Sequence, residues 1–116
     1  MNDENCIFCR IIAKQIPSRT VHEDDLSVAF YDVNPQAPTH ILIVPKKHIP
    51  EIHSMTISDK ELIGHLFLMA KKLADEMGLD KNGYRMVINN GVGAGQTVFH
   101  IHLHLLSGRR FVWPPG

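Results

Sequence analysis

From position 100 the chain reads His100-Ile101-His102-Leu103-His104-Leu105-Leu106, with a histidine at every second position and apolar residues between. Successive side chains of an extended strand point to opposite faces, so alternate ones point the same way. The three imidazoles therefore share one face, and Ile101, Leu103 and Leu105 pack behind them. On a regular strand the outer two imidazoles stand about 13 Å apart. One ion with Zn–N bonds of about 2.0–2.1 Å cannot gather all three. The pattern instead gives a row of separate groups. Imidazole has the unperturbed pKa nearest neutrality, so such a row can supply a nucleophile and a proton donor side by side.

The 116 residues fit one domain with a single core, and 44% hydrophobic with 21% charged residues is ordinary for a soluble globular protein. Lys plus Arg balances Asp plus Glu at 12 each, which argues against a nucleic-acid polymer as principal partner and leaves a small anion possible. The polar, acidic start Met1-Asn2-Asp3-Glu4-Asn5 lacks the basic and apolar regions of a secretory signal. No apolar run approaches membrane-spanning length, and a cytoplasmic location is expected. The only cysteines, Cys6 and Cys9, form a CxxC. In a reducing compartment this reads as half a zinc site rather than a structural disulfide, and eight histidines offer the missing ligands.

Ile7, Phe8, Ile11 and Ile12 predict a short helix carrying the CxxC, stopped by Ile16-Pro17-Ser18. Residues 20–23 and 26–31 read as a hairpin around Asp24 and Asp25, and residues 40–44 as a central strand closed by Pro45. Leu62, Leu66, Met69, Ala70, Leu73 and Met77 predict a long helix, with Ser58 and Glu61 as its capping box and Gly78 as its stop. His65 falls on the flank of that stripe without an evident partner, and His22 and His53 read as surface residues. Residues 84–89 form a fourth strand, residues 90–96 a glycine-rich loop, and residues 97–106 the histidine strand. Together these predict an α+β domain with a five-stranded antiparallel sheet, one long and one short helix.

The loop Gly91-Val92-Gly93-Ala94-Gly95-Gln96-Thr97 can turn tightly and direct main-chain N–H groups at an anion, and it runs straight into the histidines. Phosphate is the natural guest. With that loop beside it, the His-x-His-x-His-x-x run resembles the signature of the histidine-triad superfamily of nucleotide hydrolases and transferases. More of the chain agrees: Ile7-Phe8 with Lys14, Phe30-Tyr31-Asp32, Pro35-Gln36-Ala37-Pro38-Thr39-His40, Val44-Pro45-Lys46-Lys47-His48-Ile49 and the terminal Trp113-Pro114-Pro115-Gly116. The tail and the Pro-Gln-Ala-Pro-Thr-His block are similar to the branch of histidine-triad nucleotide-binding proteins, homodimeric purine nucleoside phosphoramidases.

The resemblance implies that His102 attacks the α-phosphorus of an AMP or GMP phosphoramidate, giving a nucleotidyl-histidine that water hydrolyses. An amine departs poorly unless protonated, and the resemblance gives that proton to His104 with His40, without deciding between them. It further implies that Asp32 binds the ribose hydroxyls, that Phe30 and Val33 flank the base, and that Asn89, Gly95, Thr97 and Val98 contact phosphate. Many relatives carry serine where Thr97 stands, so the hydroxyl is kept and a methyl added. Zinc-containing members join a CxxC to two histidines, which here implies Cys6, Cys9, His48 and His100 as a closed, structural Cys2His2 site. The sheet is expected to extend across the homodimer, with the tail 109–116 carrying Trp113 toward the partner's active site.

Three rivals remain open from the sequence. A dinucleoside polyphosphate hydrolase or nucleotidyl transferase of the same superfamily is one, although transferases typically replace the third triad histidine with glutamine. A nucleotide-binding interaction module with negligible turnover is another, and a His-x-His metalloenzyme of cupin type the third.

Overall fold

The structure, a computed structural model, describes residues 3–116. Strands β1 (Thr20–Glu23), β2 (Ser27–Tyr31), β3 (Thr39–Pro45), β4 (Arg85–Val87) and β5 (Leu103–Ser107) form one antiparallel sheet in the order β1-β2-β3-β5-β4. Helix α1 (Ile7–Ile12) lies before the sheet in sequence and α2 (Lys60–Met77) between β3 and β4, so the predicted α+β architecture is the observed one. Short 3-10 turns complete the chain at Ile52–Ser54, Ile57–Asp59, Leu79–Lys81 and Val92–Ala94. Among the described residues no helix is long and apolar enough to cross a membrane.

Both faces of the central strands are covered, which explains why β3 is apolar along most of its length. On one face Ala29, Ile41, Ile43, Leu103 and Leu105 pack against Leu66, Met69, Ala70 and Leu73 of α2. On the other, Val28, Phe30, Leu42 and Val44 pack against Cys6, Phe8, Cys9 and Ile11. The short helix is thus held against the face that carries the histidines.

Several boundaries differ from the sequence reading. The histidine strand begins at Leu103 rather than residue 97, because its partners run out. β4 ends with Val87 opposite His104, and β3 ends at Pro45, which has no N–H to give. The preceding segment is tied instead by the Ile101 N–H to the Ile49 carbonyl at 2.7 Å. The segment is enclosed all the same: His100, Ile101 and His102 are each buried, as are Leu103 and Leu105 beyond them. β4 is likewise shorter than residues 84–89.

α1 stops before Pro17. Lys14 adopts φ +64°, and the Gln15 N–H reaches the Arg10 carbonyl at 2.9 Å, so a lysine fills the left-handed position that glycine usually takes. α2 begins at Lys60, and the 3-10 turn that leads into it is closed by Asp59, whose carboxylate accepts from the Thr56 N–H at 2.9 Å and Lys47 Nζ at 2.6 Å. The short side chain of Asp59 wins over the expected Ser58–Glu61 box because it is already buried beneath Lys47. Gly78 ends α2 at φ +70°, as expected. Met77 is half-exposed instead of part of the core, since that last turn runs past the sheet.

His65 does have a partner. Its Nε2 lies 2.8 Å from Asp24 Oδ2, while Asp24 Oδ1 accepts the N–H groups of Leu26 and Ser27, each at 2.9 Å. One carboxylate therefore closes the β1–β2 turn and clips it to α2. Burial alone would push the Asp24 carboxyl up, but the bonds from Leu26, His65 and Ser27 outweigh it and hold the pKa at about 2, below the ordinary 3.8. A depressed carboxyl contributes stability above its unfolded pKa, and that contribution is lost as pH falls through the folded value. Asp24→Asn is expected to cost about 1 kcal/mol at about pH 7, with the gap to the wild type closing between about pH 4 and pH 2. Urea unfolding across that range measures it; an equal deficit at both ends would rule out the charge as the cause.

Candidate active site

The register of β3 against β5 builds the site. Leu42 stands opposite His104 and His40 opposite Leu106, so His40 and His104 are diagonal neighbours on one face. Their rings meet with His40 Nε2 and His104 Nδ1 2.9 Å apart. The main-chain N–H of Gln36 donates to His40 Nδ1 at 3.0 Å, which fixes the direction of this chain. With Nδ1 accepting, the proton of neutral His40 sits on Nε2 and is donated to His104 Nδ1. His104 in turn carries its proton on Nε2. The carboxylate of Asp32 lies 3.4 Å from His40 Nε2, beside the same proton.

His102 is fixed by a different bond. Its Nδ1–H donates to the His100 carbonyl at 2.8 Å, leaving Nε2 with a free lone pair. Burial holds His102 below the ordinary imidazole range, with its bond to His100 and the charge of Asp32 opposing the shift. Burial likewise lowers His104, to about 4, helped by the neighbouring His102 and His40. His40 is lowered by burial too, against the pull of Asp32. The row is therefore neutral at neutral pH, and the middle imidazole can act as a nucleophile.

His102 and His104 line a cavity of about 580 Å³. Of the residues expected to bind substrate, Phe30, Asp32, Val33, Thr97 and Val98 also line it. Ile7, Phe8 and Ile11 of α1 and Leu42 of β3 complete an apolar wall. His40 stands behind His104 rather than on the cavity. Asn89 and Gly95 lie together, a Cβ on Gly95 standing 4.0 Å from Asn89 Nδ2, but neither lines the cavity. Trp113 is exposed and lines no part of this cavity.

Gln96, not singled out from the sequence, shapes the glycine loop. Its buried side chain accepts from the Gly91 N–H at 2.8 Å and donates to the carbonyls of Pro50 at 2.7 Å and Val98 at 3.1 Å. Gly91 and Gly95 take φ +87° and +96° at the two ends of that loop, conformations that need glycine. Gln36 belongs to the Pro-Gln-Ala-Pro-Thr-His block, but what it contributes is a main-chain N–H, which no side-chain pattern signals. The spacing of Ile7, Phe8 and Ile11 did signal a packed face, though not that the face walls a cavity.

His100 leaves the row. Its Nε2–H donates to the Pro45 carbonyl at 2.7 Å, and its Nδ1 points among Cys6, Cys9 and His48. That nitrogen lies 3.1 Å from His48 Nδ1, 3.4 Å from Cys6 Sγ and 3.5 Å from Cys9 Sγ, and Cys9 Sγ lies 3.3 Å from His48 Nδ1. Tetrahedral Zn–N and Zn–S bonds give edges of about 3.3 Å between nitrogens and about 3.6 Å between nitrogen and sulfur. The four atoms match that size. Burial pushes the Cys6 thiol up and pulls His100 down to about 4, so these side chains are neutral in the absence of a cation. A neutral imidazole is the form that ligates metal, and a bound cation would ionise the thiols. This Cys2His2 cluster can hold a metal ion. Asp32, His40 and His104 also converge, but the Gln36 N–H occupies one His40 nitrogen and forces a proton onto the other, which leaves His40 no lone pair for an ion.

Known proteins resemble this chain in sequence and fold. An uncharacterized HIT-like protein of Synechocystis is 54% identical over 113 residues, spanning 97% of this chain and 98% of its own length. The crystal structure of a HIT family hydrolase from Legionella pneumophila superposes with a TM-score of 0.95 at 53% identity, covering 97% of this chain and 100% of that one. A histidine triad nucleotide-binding protein from Candida albicans superposes with a TM-score of 0.82 at 34% identity, over 97% of this chain and 85% of that one. The family profile described as HIT domain matches residues 13–111. With that span and these likenesses, the chain belongs to the HIT domain family.

Proposed function

We propose that this protein hydrolyses purine nucleoside 5′-phosphoramidates through a nucleotidyl intermediate on His102. The observation that carries the reading is the bond from His102 Nδ1–H to the His100 carbonyl, which leaves Nε2 as a free nucleophile on a largely apolar cavity that also presents the Asp32 carboxylate. Nε2 attacks the α-phosphorus, the P–N bond breaks, and the departing nitrogen gains a proton to leave as the amine. Water then attacks the same phosphorus, the His102–phosphorus bond breaks, and the nucleoside 5′-monophosphate is released. The proton given to the amine is recovered from that water, so the sum is phosphoramidate plus water to nucleotide plus amine. Of the two candidate donors, His104 is the one on the cavity and the one with an N–H left to present, whereas both nitrogens of His40 are engaged. His104 is therefore assigned to the leaving nitrogen and His40 to holding it in that state.

Asp32 suits the ribose hydroxyls, Phe30 and Val33 the base, and Thr97 and Val98 the phosphate, to which the family resemblance adds Asn89 and Gly95. The names of two relatives, a HIT family hydrolase and a histidine triad nucleotide-binding protein, support hydrolysis and a nucleotide substrate. Zinc on Cys6, Cys9, His48 and His100 would be structural, since four protein ligands leave no open position. It would tie α1 to the segment from which His102 projects. By the family resemblance, assembly as a homodimer would bring Trp113 of one protomer toward the amine side of the other's site, and its exposure leaves the indole available for such a contact.

Three outcomes test this reading. With a slowly turned-over adenosine phosphoramidate, mass spectrometry should trap a nucleotidyl adduct on His102, and His102→Ala should lose on the order of 10⁴-fold in kcat while still binding nucleotide. An adduct on another residue, or nucleotide binding with no turnover in the wild type, would overturn it. Protein purified without chelator should contain about one zinc per chain, and Cys9→Ser should lose the metal and melt lower. Elemental analysis without stoichiometric zinc removes that part. Truncation after Gly108 should change the relative kcat/KM among substrates with different leaving amines; an unchanged ranking would show that the tail plays no role in selectivity.

A further inference from the structure

We infer that Phe8 is a positioning residue for the nucleophile, holding the His102 ring in its attacking orientation through edge-to-face contact. This rests on the assignment of His102 as nucleophile. A single hydrogen bond, from Nδ1–H to the His100 carbonyl, fixes which nitrogen of His102 is protonated. It leaves the ring free to pivot about that bond unless something bears on its faces. Two rings do. His104 lies with its centroid 4.9 Å from that of His102 at an interplanar angle of 61°, and Phe8 lies 5.1 Å away at 87°.

Phe8 is itself held from several sides. It is buried, and it meets Phe30 of β2 edge-on at 5.5 Å and His100 at 5.9 Å. It also sits between Cys6 and Cys9, whose sulfurs both face His100 Nδ1. A six-residue helix has little stability of its own, so its orientation follows from these anchors. Phe8 is thus a fixed ring set perpendicular to the His102 ring, which one hydrogen bond and the His104 contact otherwise hold. T-shaped contact is the favoured geometry for such a pair, because the positive ring edge meets the π face. The aliphatic neighbours on the same wall, Ile7 and Ile11, lack a planar edge to set the orientation of a ring.

A wall of the base pocket and a positioning residue for the nucleophile have different kinetic signatures. Losing the wall weakens binding in ground state and transition state alike and raises KM alone. Losing the orientation of Nε2 lowers kcat at nearly constant KM. Phe8→Leu is expected to lower kcat for adduct formation about tenfold or more with KM changed less than about twofold, and Phe8→Tyr, which keeps the ring edge, should recover most of that loss. In ¹H–¹⁵N spectra of the imidazoles, the wild-type His102 should give one sharp Nδ1–H tautomer and Phe8→Leu a broadened or mixed signal.

A rise in KM with kcat intact, or equal losses in the leucine and tyrosine variants, would overturn the inference. So would an unaltered His102 spectrum in Phe8→Leu. If the wild type forms no adduct at all, it is the phosphoramidase reading that fails. The spectra then still decide whether Phe8 orders the ring.

Discussion

Everything at the site follows from the register of β3 against β5. Pairing Leu42 with His104 places His40, Leu42 and His104 on the face toward α1, and Ile41, Ile43, Leu103 and Leu105 on the face toward α2. A slip of one residue would exchange the two sets, burying imidazoles against Leu66 and Leu73 and exposing the aliphatic row. The hydrophobic effect that assembles the core is therefore also what aims the chemistry. Burial of Ile41, Ile43, Leu103 and Leu105, all essentially inaccessible, makes the alternative pairing costly.

Given that face, main-chain groups do the fine adjustment. Three histidines receive their proton positions from backbone atoms: His40 from the Gln36 N–H, His102 from the His100 carbonyl and His100 from the Pro45 carbonyl. Identical side chains thereby take different roles within a few ångströms. One accepts a backbone hydrogen bond and passes its own proton outward, one offers a lone pair to the cavity, and one offers a lone pair to the thiols. Because the directing groups belong to the backbone, side-chain substitution at Gln36 or Pro45 does not by itself remove them.

The alternation of residues 100–106, the apolar β3 and the Leu66-Met69-Leu73 stripe were legible in the sequence because each expresses one dominant force, burial on a period. The CxxC was equally legible as half of a ligand set. Its partners His48 and His100 came from family likeness, since no spacing rule relates residues so far apart. What was not legible depends on competition between local groups. Lys14 ending α1 in place of Pro17, and Asp59 in place of Ser58 at the start of α2, are such cases. The early end of β4 is a third, and it moved His100 and His102 off the ladder. Gln96 read as one more polar loop residue, and only the fold shows its amide bridging three separated backbone positions.

The chain leaves β5 through Gly108, whose φ of +98° and close approach to Pro38 admit no side chain: a Cβ there would stand 2.8 Å from Pro38 Cβ. Beyond it Arg109 and Arg85 both lie over the Phe111 ring, with guanidinium carbons 4.3 Å and 5.2 Å from its centroid, and Arg85 Nη2 donates to the Val112 carbonyl at 3.1 Å. The final residues are thus steered along the β4 edge by one glycine and two arginines. A change at that hinge would re-aim the terminal indole without touching the triad, so the heading of the tail and the placement of the reacting atoms are set by separate parts of the chain.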